Sequence, residues 1–235
     1  MARSPGGDSN RGMGSRRLKT AKGRRLSSSL WLQRQLKDPY VLRAQREGLR
    51  SRAAFKLIEL DDRFHVLKRG GRVVDLGAAP GGWSLVAAER VAAGQSGGGH
   101  IVAIDLQEIE PIVGVDFLHL DFMAEDAPAR LVEALGGAAD VVLSDMAAAA
   151  TGHTRTDHLR IMALLEAAVD FACSVLAPGG AFIGKVLRGG TERELLQRLK
   201  RDFAEVRHVK PPASRKDSAE IYVVALGFRG DGPRA

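Results

Sequence analysis

From residue 72 onward, short apolar runs rich in valine and isoleucine alternate with longer stretches of mixed character. The runs are RVVDL (72–76), HIVAIDL (100–106), VDFLHLD (115–121), ADVVLSD (139–145), GAFIGKV (180–186), AEVRHV (204–209) and EIYVVALGF (220–228). Their length and β-branched content predict seven strands. The intervening patterns predict helices over about 83–93, 126–136, 156–176 and 191–202. The first five runs are continuously apolar, as expected of parallel strands buried on both faces. Strand–helix alternation of this kind predicts an α/β fold, a doubly wound and mostly parallel sheet with helices on both faces. Only a loop separates the last two runs, so the last strand is expected to run antiparallel. Upstream, residues 27–64 read as mostly helical, with Ala53, Leu57 and Leu60 at helical spacing and Gly70-Gly71 ending the segment.

Charge divides the chain differently. Residues 1–30 hold eight Lys/Arg and one acid, which accounts for the net charge of +7. The remainder is balanced. The segment is rich in Gly, Ser and Arg and lacks apolar periodicity, so it is read as a disordered basic tail (1–30) ahead of one domain (31–230) and a short C-terminal tail (231–235). Such a tail fits a nonspecific grip on a polyanion, a mitochondrial transit peptide or a plain solubilising extension. The first reading is favoured, because the glycines spoil the amphipathic helix that the second needs. The single Cys173 excludes an internal disulfide and a Cys-rich zinc site, and the six histidines show no metal-ligand spacing. No metal is expected. Without a membrane span or signal-peptide core, the expected location is cytoplasmic.

The candidate chemistry starts in VVDLGAAPGGW (73–83), where an acid ends a strand and glycines lead into a helix. The pattern lacks both the GxGxxG spacing and the Lys-Ser/Thr of a phosphate loop. That favours S-adenosylmethionine, which carries no phosphate, over a dinucleotide or nucleoside triphosphate. Asp105, at the end of the second strand run, is placed to accept from ribose hydroxyls. Asp121, at the end of the third, is placed to meet an adenine amino group. Each acid also has the plainer reading of a cap for the next turn. Asp145 closes the fourth run and Lys185 lies inside the fifth, so adjacent parallel strands should bring them together. An ammonium in an apolar strand is costly, which leaves a snorkelling lysine or one kept for chemistry. An alcohol needs a base before it can attack a methyl donor, and a lysine serves as one only as the free amine. Desolvation and a second cation, for which Lys56 is a candidate, favour that form. Carboxylates oppose it, so Asp145 and Glu220 are read as orienting the amines.

Eight blocks carry a resemblance: SSSLWLQRQLKDPYV, QREGLRSRAAFKL, VVDLGAAPGGWS, PIVGVDFLHLDF, VVLSDMA, VLAPGG, GKV and SRKDSAEIYVVALGF. Together, over about residues 27–228, they resemble the FtsJ/RrmJ family of ribose 2′-O-methyltransferases. The resemblance implies a Rossmann-like S-adenosylmethionine-dependent enzyme whose catalytic tetrad falls on Lys56, Asp145, Lys185 and Glu220, with Lys185 taking the hydroxyl proton. It also implies cofactor contacts from Gly81, Trp83, Asp105, Asp121 and Asp145. The implied substrate is a uridine in the A-loop of 23S rRNA, within the 50S ribosomal particle, and the implied state is a monomer off the membrane. A methyltransferase of tRNA or another RNA, or a catalytically silent RNA-binding homologue, stays open. One departure stands out: Ala147-Ala148-Ala149-Ala150-Thr151-Gly152 follows where the family has Pro-Asn and a Ser-Gly. A looser loop and weaker cofactor binding are expected there, with activity retained. Arg34, Lys37, Arg43, Arg46, Arg50, Arg52, Arg215 and Lys216 flank tetrad members. They are candidates for positioning phosphates, with Trp31 and Tyr40 as possible stacking surfaces. The plainer readings are a solvated helix face, a polar loop and core packing.

Overall fold

The computed structural model describes residues 38–148, 151–187 and 193–230. Its elements in chain order are α1 (Pro39–Arg46), α2 (Ala54–Phe64), β1 (Arg72–Leu76), α3 (Gly82–Val91), β2 (His100–Asp105), β3 (Val115–His119), α4 (Ala127–Leu135), β4 (Ala139–Ser144), α5 (Thr154–Val175), β5 (Leu176–Leu187), α6 (Arg193–Asp202), β6 (Phe203–Val209) and β7 (Glu220–Phe228). The strands form one sheet in the order β3-β2-β1-β4-β5-β7-β6. All neighbours are parallel except β7, which lies antiparallel between β5 and β6.

Period-two alternation sorts the core onto two faces. Val74, Leu76, Val102, Ile104, Val142, Phe182, Val223 and Ala225 pack with α4, α5 and α6. Val73, Ile101, Val141, Leu143, Ile183, Tyr222 and Val224 pack with α2 and α3. By the same alternation Asp75, Asp105, Asp145, Lys185 and Glu220 belong to the α2–α3 face. Each lies at the carboxyl end of its strand, or, for Glu220 on the reversed β7, at the amino end. One edge of one face therefore collects every ionisable strand residue singled out above.

Three expectations change. The region 38–64 is not one helical stretch: α1 starts on Asp38, whose side chain accepts from the Tyr40 N–H, with Pro39 in the first turn. It stops before Gly48, whose φ of +70° no helix can carry. Strand β3 ends at His119, two residues short of Asp121, and it is an edge strand, so its side chains are half-buried rather than enclosed. Strand β5 begins at Leu176, four residues early. Pro178-Gly179, with Gly179 at φ +85°, lies in an irregularity of the strand, where the pairing shifts between Ala139 and Val141. Trp31, Arg34, Lys37 and Ala149-Ala150 lie outside the described residues.

Candidate active site

The strand register brings the charged residues together. Ser144 pairs with Gly184, so Asp145 and Lys185 follow side by side. Lys185 pairs with Tyr222 across the antiparallel β5–β7 ladder, and Glu220 lies two residues away on the same face of β7. Lys56 reaches the same place from α2.

The result is a continuous polar chain. Lys185 Nζ donates to the Asp145 main-chain oxygen at 2.6 Å and lies 3.1 Å from its Oδ1. The Tyr222 hydroxyl donates to Asp145 Oδ1 at 2.7 Å and accepts from Lys56 Nζ at 3.1 Å. Lys56 Nζ is 2.7 Å from Glu220 Oε1, which also accepts from Ser214 Oγ at 3.0 Å. These groups are mostly buried, with Lys185 and Lys56 side chains 10% and 11% exposed. Burial pushes the Asp145 carboxyl up, but the Lys185 and Lys56 charges and the Tyr222 hydrogen bond outweigh it, and the net direction is down. Burial, then the Asp145 and Glu220 anions, push the Tyr222 phenol well above its usual range, so it stays a proton donor.

Tyr222 is the member that sequence reasoning missed. The available signal was its place two residues after Glu220 in EIY, on the same face of a strand. Replacing it with phenylalanine keeps the fully buried ring but takes a partner from both Lys56 and Asp145. Turnover should fall by about tenfold, the equivalent of one net hydrogen bond, with cofactor affinity unchanged. Steady-state kinetics would check this, and wild-type turnover would show that the hydroxyl is dispensable.

Beside this chain, at the switch in strand order between β1 and β4, lies a cavity of about 280 Å³. Gly77, Ala79, Asp105, Asp121, Asp145 and Ala147 line it. Asp105 accepts from the Ala79 and Gln107 N–H groups, both at 2.8 Å, and Asp121 accepts from the Met123 N–H at 2.9 Å. Both acids therefore cap local turns and also face the cavity, where a carboxylate has lone pairs to spare. Gly81 and Trp83 do not line it. The Trp83 ring is buried, donates to the Ala53 carbonyl at 2.8 Å and packs against the Tyr222 ring at 5.6 Å. Two glycines are required by geometry. Gly77 has φ +81° and a Cβ there would lie 2.7 Å from Met146; Gly81 has φ +97° and a Cβ there would lie 2.7 Å from Arg50.

Asp75 is fully buried beneath this loop. Its Oδ2 accepts from Ser84 Oγ at 2.6 Å, which ties the end of β1 to the first turn of α3, while its Oδ1 has no partner among the described residues. Burial first, then the Asp145 and Asp105 anions, push it from 3.8 up to about 7. A folded value above the unfolded one means that the protonated form favours the fold. The contribution is full below about pH 4, declines as pH rises and is gone once pH passes about 7. Asp75→Asn should remove that decline. The wild-type minus variant stability difference should change on the order of 4 kcal/mol across the window. Denaturant titrations from pH 4 to 8 would measure it, and parallel curves for the two proteins would contradict it.

Several arginines flanking the site are engaged in the fold. Arg50 donates to the carbonyls of Glu110 and Pro111 at 2.5 and 2.9 Å. Arg52 donates to the Ala213 carbonyl and pairs with Asp38 at 3.1 Å, and Arg215 pairs with the same carboxylate at 3.2 Å. Arg43 pairs with Glu47 and lies over the Phe55 ring. Tyr40, half-buried, packs on Phe55 and bonds Glu59. Arg46 and Lys216 are exposed. Among the described residues no cluster of His, Cys, Asp or Glu fits a metal ion, and no helix is long and apolar enough to cross a membrane.

Known proteins are similar to this chain. "Ribosomal RNA large subunit methyltransferase E" of Xanthobacter autotrophicus is 65% identical over 219 residues, covering 93% of this chain and 86% of that protein. Its namesake in Paramagnetospirillum magneticum is 64% identical over 215 residues, covering 91% and 88%. A solved structure from Plasmodium falciparum, described as a ribosomal RNA methyltransferase, aligns with a TM-score of 0.68 and 31% identity over 77% of this chain and 99% of that one. A model of FtsJ-like methyltransferases matches residues 49–228. That span takes in every strand of the sheet and all of Lys56, Asp145, Lys185 and Glu220, so the chain belongs to the FtsJ-like methyltransferase family.

Proposed function

We propose that the chain transfers the methyl group of S-adenosylmethionine to the ribose 2′-oxygen of a uridine in the A-loop of large-subunit rRNA. The observation that carries this reading is the buried chain Glu220–Lys56–Tyr222–Asp145–Lys185 beside a cavity lined by Asp105 and Asp121. The names of the relatives support rRNA as the substrate.

The residues present fit the cofactor. Asp105 and Asp121 offer acceptors to ribose hydroxyls and a base amino group. The Asp105 and Asp145 carboxylates that line the cavity suit a cationic ligand. Gly81 and Trp83 would contribute through the backbone at the start of α3, since the Trp83 ring is committed to the core. When bound, S-adenosylmethionine supplies a methyl group already activated by the positive sulfur.

The chain's own residues handle position and protons. Lys185, once its ion-paired ammonium has released a proton to solvent, takes the 2′-hydroxyl proton at Nζ while the ribose oxygen gains the methyl group. Asp145 grips Lys185 through both its main-chain and side-chain oxygens, which fixes where that proton goes. Glu220 and Tyr222 hold Lys56 on the opposite side of Asp145 and keep a second positive charge there. The rate enhancement then comes from orientation and one proton transfer, each a recognised large contribution. The working unit is a monomer acting on the assembled large subunit in the cytoplasm, with residues 1–30 as a basic tail on a 31–230 catalytic domain.

The test supplies labelled S-adenosylmethionine with large-subunit particles, naked rRNA and tRNA in parallel, then maps the labelled nucleoside. A labelled 2′-oxygen on an rRNA uridine is expected. Label confined to tRNA, or found on a base, would overturn the assignment.

A further inference from the structure

The opposite edge of the sheet has a second concave surface that the proposed chemistry does not use. It is a groove of about 550 Å³ at the amino ends of β1, β4 and β5. Its walls are Gly70-Gly71, Pro178–Gly180 and Gly227, and Lys68 and Arg69 stand at its side. The local sequence RFHVLKRGGR (63–72) contains Arg63, Lys68, Arg69 and Arg72 and no acid.

Among the described residues these four cations, of which Lys68 and Arg69 line the groove, lack a counter-charge, as does Arg50 at the other edge, which bonds only main-chain carbonyls. None of them has a carboxylate within ion-pair distance. By contrast Arg52, Lys56, Lys185 and Arg215 at the other edge are all paired, and Arg90 on neighbouring α3 pairs with both Asp61 and Asp62. The acid that does line the groove, Asp140, accepts from the Arg72 backbone N–H at 2.8 Å. Arg69 is steadied by the Ser96 carbonyl at 3.1 Å, which leaves its charge uncompensated. Unpaired like charges gathered at a concavity raise the local potential and select an anion.

The geometry points to a second RNA contact: Lys68 and Arg69 hold backbone phosphates of the substrate RNA at the amino edge, remote from the acceptor ribose. This rests on the reading that the substrate is rRNA. Strands of five or six residues separate the two edges by about 17–20 Å. A nucleic-acid strand carries a charge roughly every 3.4 Å, so that distance corresponds to about five or six phosphates. That is the straight line through the sheet; RNA must also pass around the helices that cover its faces, each about 10 Å thick, so a long rRNA segment can engage both edges at once and a hairpin trimmed to the acceptor loop falls short.

The test compares the full chain with the double variant Lys68→Ala/Arg69→Ala. Binding is measured to protein-free large-subunit rRNA and to a short hairpin bearing only the acceptor loop, between 50 and about 200 mM salt. For the long RNA, affinity should fall about tenfold and the slope of log affinity against log salt should drop by about two. For the hairpin, affinity should change less than about twofold, and Lys68→Arg/Arg69→Lys should restore the long-RNA value. Unchanged affinity and slope on long rRNA would overturn the proposal. So would an equal loss on the hairpin, which would mean a defect at the reaction edge. A loss seen with ribosomal particles but not naked rRNA would mean a protein contact, and that also overturns it. If the wild-type chain binds rRNA without methylating it, the functional reading fails while the salt slope still decides the groove.

Discussion

Replacing Lys185 with alanine is expected to lower methyl transfer by about three orders of magnitude or more while the protein still folds and binds its cofactor. The size follows from the role: a positioned general base contributes about 10²–10⁴-fold, and among the described residues no other amine lies at this position on the sheet edge. Lys56 is held across Asp145 by Glu220 and Tyr222, so it cannot swing in without breaking both contacts. Persistence of cofactor binding follows because Lys185 is not among the residues that line the cavity. Single-turnover kinetics with labelled methyl donor and a binding isotherm would separate the two effects. Retained turnover would remove Lys185 from the mechanism. Loss of cofactor binding in parallel would reassign it to the pocket.

The second large effect concerns Asp145, which anchors both halves of the polar chain. Asp145→Ala removes the counter-charge of Lys185, the acceptor of the Tyr222 hydroxyl and one wall of the cavity. Breaking a buried pair from one side leaves an uncompensated charge and costs about 3–5 kcal/mol. The variant should therefore lose activity, stability and cofactor affinity together. The Lys185→Ala change, by contrast, leaves an acid that Lys56 and Tyr222 still satisfy, so its stability loss should be clearly smaller. Denaturant midpoints of the two variants give the comparison. Equal stability losses would show that the network does not hinge on the carboxylate.

Much of this site was legible before any coordinates. The strand ends at Asp105 and Asp145, the glycine loop and the lysine inside an apolar strand each break a local pattern, and residues that break patterns tend to be functional. The parallel pairing of β4 with β5 then follows from strand–helix alternation. What the sequence did not disclose depends on tertiary placement. Tyr222 reads as an ordinary β-former until β7 is known to lie antiparallel beside β5. Asp75 looks like one more strand-end acid, yet it is sealed beneath the loop with one oxygen unpartnered. Arg50 and Arg52 look like phosphate ligands in a basic run, and only the fold shows them bound to carbonyls and to Asp38. The misjudged third strand has a related cause. Composition reports how apolar a strand is but not whether it ends up at the rim of a sheet.

The reversed β7 between β5 and β6 has a consequence for synthesis. Glu220 and Tyr222 both lie on this strand, and it is the last to leave the ribosome. A nascent or truncated chain ending before residue 220 already carries Lys56, Asp145 and Lys185, but it lacks the two groups that connect Lys56 to the rest. It also presents open hydrogen-bonding edges on β5 and β6, which favours aggregation or clearance over survival. Completion of the buried polar network and completion of the sheet are thus the same late event.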